Sequence, residues 1–116
     1  MSKSLNELAN TIIKFRDSRD WKKYHNPKDM AISLVLESNE FLELFQWKDK
    51  KETDEFIKNL KTEISDEIAD ILYWVLLISH DLNIDVQKAL ETKMVKNEKK
   101  YPIEKSKGNH KKYTEL

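Results

Sequence analysis

Glu37-Ser38-Asn39-Glu40 and Glu67-Ile68-Ala69-Asp70 decide how this chain reads, because each sets two acids inside a segment that is otherwise a mostly apolar helix. Residues three apart on a helix project from the same face, so each pair offers two carboxylates to one point in space. Two such helices facing one another would gather four negative charges. Like charges held that close are costly unless a cation or protons neutralise them. The pattern predicts a helical fold around a hard divalent cation, with magnesium and phosphate chemistry as the expectation.

Outward from the first pair, Asn26-Pro27 reads as an N-cap followed by proline at the first helical position, with Asp29 in the first turn. The helix it opens is expected over about residues 27–47, with Met30, Ser33, Glu37 and Phe41 on one line. Before it, residues 4–16 carry Leu5, Leu8, Ile12 and Phe15 at helical spacing. The stretch 17–26 between them has no helical period but holds Trp21, Tyr24 and His25, which marks it as a loop of large rings and a candidate ligand wall.

Around the second pair, Thr53 followed by Asp54 and Glu55 suggests a cap for a long third helix over residues 53–81. Glu63, Glu67, Asp70 and Trp74 form one line along it, beside the apolar line Ile64, Ile68, Ile71 and Val75. Residues 71–78 are apolar all the way round, which predicts burial on every side and hence an oligomer whose interface uses this segment. Asp85 caps a fourth helix over residues 86–100, where Lys93 and Asn97 share a face suited to reaching a ligand. The expected architecture is all-α: a four-helix bundle protomer assembling through an apolar helix. Residues 1–102 are expected to form one domain, and residues 103–116 a basic, mobile or partner-ordered tail. From Lys99 to Lys112 there are six lysines against one glutamate.

Composition agrees with this architecture. One glycine and two prolines in 116 residues argue against a turn-rich β fold, and 36% charged residues suit long amphipathic helices. The 21 basic and 21 acidic side chains cancel, which disfavours a globally basic nucleic-acid binder. With no cysteine there are no disulfides, thiolate nucleophiles or zinc-thiolate clusters. No stretch reaches the roughly 20 apolar residues of a membrane span and no secretory pattern opens the chain, so a cytoplasmic location is expected.

A single Glu-x-x-Glu is common on solvated helix faces. Two, both beside apolar lines, need a counter-charge, and a buried ion pair with lysine seldom stabilises a fold by itself. Metal is therefore the favoured reading. An all-carboxylate set suits magnesium, with manganese as a substitute. Di-iron bundles use Glu-x-x-His, and none of His25, His80 or His110 has that spacing from an acid.

The two acid motifs and their spacer resemble the signature of the MazG-like superfamily of all-α nucleoside triphosphate pyrophosphohydrolases. Arg19-Asp20-Trp21, His25-Asn26-Pro27, Glu43-Leu44-Phe45-Gln46-Trp47-Lys48, Lys93-Met94, Tyr101-Pro102 and the terminal Lys112-Tyr113-Thr114-Glu115-Leu116 narrow the likeness to its dCTP pyrophosphatase branch. The resemblance implies hydrolysis of a nucleoside triphosphate, a pyrimidine deoxynucleotide, to the monophosphate and pyrophosphate. It implies Glu37, Glu40, Glu67 and Asp70 as magnesium ligands. For the attacking water Glu40 is the candidate base, with Glu37 and Glu67 as alternatives that the sequence does not separate. Trp21 and Trp47 would enclose the base, with His25 and Trp74 nearby, and Lys93 and Asn97 would lie near the triphosphate. Ile12 and Trp74 depart from the histidine and tyrosine that the animal branch tends to carry there. Two other readings compete at this point: a non-catalytic helical module that binds nucleotide or metal, and a helical scaffold gripping nucleic acid through its lysine tail.

Overall fold

The computed structural model describes residues 3–116. Six α-helices follow one another among them: α1 (Leu5–Asp17), α2 (Pro27–Glu43), α3 (Lys50–Asn59), α4 (Lys61–Asp81), α5 (Val86–Lys100) and α6 (Ile103–Ser106). Short 3-10 turns occupy Lys22–Tyr24 and Tyr113–Glu115, and there is no strand among the described residues. The all-α expectation holds. Among the described residues no helix is long and apolar enough to cross a membrane. The chain divides into two compact units, Met1–Ile84 and Asp85–Leu116.

In the first unit α2 packs along α4, while α1 and α3 also lie against α4. The caps explain where these helices begin. Ser4 accepts the Glu7 N–H at 3.2 Å for α1, and the Asn26 side-chain oxygen accepts the Asp29 N–H at 2.9 Å for α2. Asn26 also donates to the Asp29 carboxylate at 2.7 Å, locking the entry to the helix that carries Glu37 and Glu40.

Two boundaries correct the sequence reading. Helix α2 ends at Glu43 rather than near residue 47, because the chain tightens into successive turns and Trp47 takes a left-handed φ of 68°. The Lys48 ammonium then donates to the Leu44 carbonyl at 2.7 Å and lies 4.6 Å from the centroid of the Phe56 ring, closing the corner around Phe41, Phe45 and Phe56. The expected single third helix is two helices. Asp49, not Thr53, is the cap, its carboxylate accepting the Glu52 N–H at 2.8 Å, while the Thr53 hydroxyl bonds the Asp49 carbonyl from inside α3. Leu60 (φ −125°, ψ 37°) breaks the run: its N–H closes α3 on Phe56 and its carbonyl opens α4 to Ile64.

Among the described residues the largest fully buried side chains are Arg16, Met30, Leu76 and Leu77. Burial of residues 71–78 on every side is therefore not realised within the single chain, where Leu72 remains 39% exposed and neighbouring Ile68 51% exposed. On α2, Ile32, Val35, Leu36 and Leu42 are likewise exposed.

The second unit holds α5, capped by the Asp85 carboxylate on the Lys88 N–H at 3.1 Å, and the lysine-rich segment after Pro102. That segment carries α6, and Tyr113 sits edge-on to Tyr101 at 6.1 Å, with Lys100 4.7 Å from its ring centroid.

Candidate active site

With α2 and α4 packed together, Glu37, Glu67 and Asp70 each place a carboxylate oxygen so that all three lie within 4.8 Å of one another. Glu40 completes the group, since its charge and hydrogen-bonding reach act on both Glu37 and Glu67. Desolvation first, and then Glu40, Asp70 and Glu67, push the Glu37 carboxyl up to about 7. Desolvation and then Glu40 also raise Glu67. One Oε atom of Glu37 and one of Glu67 are buried without any hydrogen-bond partner.

Those orphaned oxygens separate the two readings of buried acids. Salt-bridged acids would have lysines or arginines beside them. Among the described residues the ion pairs are Arg16–Asp17, Arg16–Asp81, Lys23–Asp20, Lys50–Asp54 and His80–Asp81, and none involves the four acids. Hard oxygen donors, converging and uncompensated, fit a divalent cation that binds carboxylates and retains waters.

Beside the acids lies a cleft of about 350 Å³ lined by Phe15, Trp21, His25, Glu37, Asp70, Tyr73 and Trp74, within the size range of small-molecule sites, about 300–1,000 Å³. Its apolar wall is a chain of edge-to-face rings: Trp21 on Phe15 at 5.7 Å, Phe15 on Tyr73 at 6.3 Å, Tyr73 on Trp74 at 5.2 Å and Trp74 on His25 at 5.3 Å. Rings in this arrangement brace one another, so the wall is largely preformed. Arg19 stacks 3.8 Å from the centroid of the Phe15 ring and donates to the Phe15 carbonyl at 2.9 Å, fixing the start of the loop. Burial, and then Arg16, hold His25 below its usual pKa against the opposing pull of Asp81, so the ring is neutral near pH 7. Its Nδ1 is buried and has no partner. The cleft thus has an aromatic wall able to stack a flat heterocycle and an acidic end able to hold a cation.

The structure brings together Glu37, Glu40, Glu67 and Asp70, and lines the adjoining cleft with Trp21, His25 and Trp74. Trp47 is not part of that wall: it is 91% exposed. Lys93 and Asn97 lie on α5 in the second unit, Lys93 in a shallow surface groove with Lys88, Thr92 and Lys96, and Asn97 with its carbonyl accepting the Tyr101 N–H. Phe15 and Tyr73 are wall residues that the sequence reading assigned to packing. Tyr73 had a signal, standing three residues after Asp70 on the same helix face. Phe15 had none, because it continues the apolar period of α1.

A family model described as the MazG-like family matches residues 32–116, a stretch that spans all four acids. The chain belongs to the MazG-like family. Among its relatives, dCTP pyrophosphatase 1 of Bos taurus is 30% identical over 115 residues, covering 97% of this chain and 68% of the relative. The Homo sapiens protein of the same name is 29% identical over the same span. A solved pyrophosphatase from Archaeoglobus fulgidus is 41% identical, superposes with a TM-score of 0.80, and is matched over 88% of this chain and 95% of its own.

Proposed function

We propose that the protein hydrolyses a pyrimidine deoxynucleoside triphosphate, dCTP or a related or modified form, to the monophosphate and pyrophosphate, with magnesium as the resident cation. The coarser class stands on family membership and on the relatives' pyrophosphatase names: the chain is a nucleoside triphosphate pyrophosphohydrolase. The observation that carries the rest is the acid cluster, with its two orphaned oxygens, opening on an aromatic cleft.

In this reading Glu37, Glu67 and Asp70 would hold magnesium, joined by Glu40, and manganese would substitute for it. Bound there, the cation supplies positive charge against the triphosphate and Lewis acidity at the reacting phosphate. The residues of the chain do the remaining work. Trp21 and Trp74 stack the base, which leaves the phosphates at the end of the cleft where Glu37 and Asp70 would hold the cation. That geometry sets the α-phosphorus for in-line attack by water. Glu40 receives the proton of the attacking water on a carboxylate oxygen, and pyrophosphate leaves opposite. Stacking accepts any base, so selectivity falls to polar groups such as His25 and to the size of the cleft. Lys93 and Asn97 keep their proposed place near the triphosphate on the family resemblance alone.

Homo-oligomerisation, to a dimer or tetramer, belongs to the same proposal. The exposed apolar side chains of α2 and α4, including Val35, Leu42, Ile68 and Leu72, support it. Trp47 would reach a base only if another copy supplied it. The division into a domain over residues 1–102 and a basic tail over 103–116 is proposed on composition, and the location as cytoplasmic.

Incubation with a panel of deoxy- and ribonucleoside triphosphates plus magnesium, with product identification, tests the function. Monophosphate with pyrophosphate is the expected result. Release of single phosphate, or nucleotide bound but intact, would return the protein to the class of non-catalytic binding modules or to another chemistry. Light scattering of the eluting protein tests the assembly.

A further inference from the structure

Arg16 is fully buried, and its Nη1 donates to the Asp81 carboxylate at 2.7 Å while its Nε reaches Asp17 at 3.3 Å. Its Nη2 is buried with no partner. A buried ion pair of this kind is seldom better for stability than apolar side chains of equal volume, and an unsatisfied donor makes it worse. Stability alone does not account for the pair.

Its position does. The Arg16 carbonyl accepts the N–H of Arg19 at 3.1 Å and of Trp21 at 3.3 Å, so the turn presenting Trp21 springs from the residue whose side chain is locked to α4. That turn passes through Asp20 at a left-handed φ of 55°, a conformation that needs support from its surroundings. The loop ends at His25, which lies within electrostatic reach of both Arg16 and Asp81 and edge-on to Trp74. His25 also borders a second hollow, of about 430 Å³, that Asp81 helps to line, so packing does not enclose the ring on every side.

We infer that Arg16 and Asp81 are positioning residues for base selection: their pair holds the loop bearing Trp21 and His25 at a fixed angle to Trp74. Discrimination between bases therefore depends on a contact that touches neither substrate nor the four acids. This rests on the pyrophosphohydrolase reading above and adds the determinant of its selectivity.

The test compares wild type with an Arg16→Met, Asp81→Leu double variant, which removes both partners at once, and with Asp81→Asn. For each, kcat and KM are measured on a panel of deoxynucleoside triphosphates. The ratio of kcat/KM for the preferred base over the poorest should fall by about tenfold, the size expected for loss of a pocket contact. KM for the preferred nucleotide should rise by more than kcat falls. A merely structural pair would lower the active fraction, scaling kcat equally on every nucleotide while leaving KM and the ratio unchanged, and that result overturns the inference. Should the double variant fail to fold by circular dichroism, the ratio in Asp81→Asn decides in the same two ways. Absence of turnover by the wild type would remove the functional reading and this inference with it, whereas wild-type turnover with an unaltered ratio in the variants removes this inference alone.

Discussion

Raising the pH of the metal-free protein should weaken its fold through Glu37. This carboxyl stands at about 7 against an ordinary 4.5, through desolvation first and then the crowding of Glu40, Asp70 and Glu67. Between those two values the folded chain keeps a proton that the unfolded chain has released. The contribution is therefore full below pH 4.5 and lost as pH rises through about 7. The gap corresponds to about 3–4 kcal/mol at about 1.4 kcal/mol per pH unit. Water reaches part of the side chain and screens it, which reduces the expected loss to about 1–2 kcal/mol. His25, whose pKa is lowered from 6.5, gives the opposite slope below that pH, so the comparison must isolate Glu37. Urea unfolding of wild type and Glu37→Gln, in chelator at pH 5 and pH 8, does so. The variant should gain about 1–2 kcal/mol relative to wild type between the two conditions. Excess magnesium at pH 8 should restore wild type but not the variant to the same degree, because ligand binding to the folded state alone adds stability. A wild-type-minus-variant difference that is the same at both pH values would refute the account of uncompensated acids.

Three further outcomes follow from the same geometry. Glu40→Gln should abolish pyrophosphate release while leaving the circular dichroism spectrum intact, because charge is lost with little change of volume; retained turnover would reassign the proton acceptor. Trp74→Ala should raise KM by about one to two orders of magnitude, from the roughly 1–3 kcal/mol that one base-aromatic stack contributes, and a KM unchanged in steady-state assays would take the base out of this cleft. Asn26→Ala should lower stability by about 1 kcal/mol in denaturant titration, through loss of the α2 cap, and an unaltered midpoint would show that the cap is replaced by water.

The helices and the four acids were legible from the sequence because period and spacing are local signals. Asn26-Pro27 and Asp85 announced α2 and α5 through the chemistry of single residues. The break at Leu60 was not legible: neither it nor Lys61 is a breaker, and the junction depends on backbone bonds to Phe56 and Ile64. Thr53 misled because a threonine before two acids looks like a cap, whereas Asp49 reached the free amide first. Within the site, Trp21 and His25 stood out as rings in a loop, but Phe15 looked like core. Its role depends on Trp21 and Tyr73 meeting it from two other segments, which is a tertiary fact. The Arg16–Asp81 pair spans 65 residues and has no local mark at either end.

The distribution of indole rings has an optical consequence. Two of the three tryptophans, Trp21 and Trp74, border the cleft, while Trp47 stands 91% open to solvent. A collisional quencher such as iodide should extinguish Trp47 emission preferentially, whereas an occupant of the cleft should act on the other two. The molecule carries its own occupancy gauge together with a reference lamp, and no label has to be attached to read either.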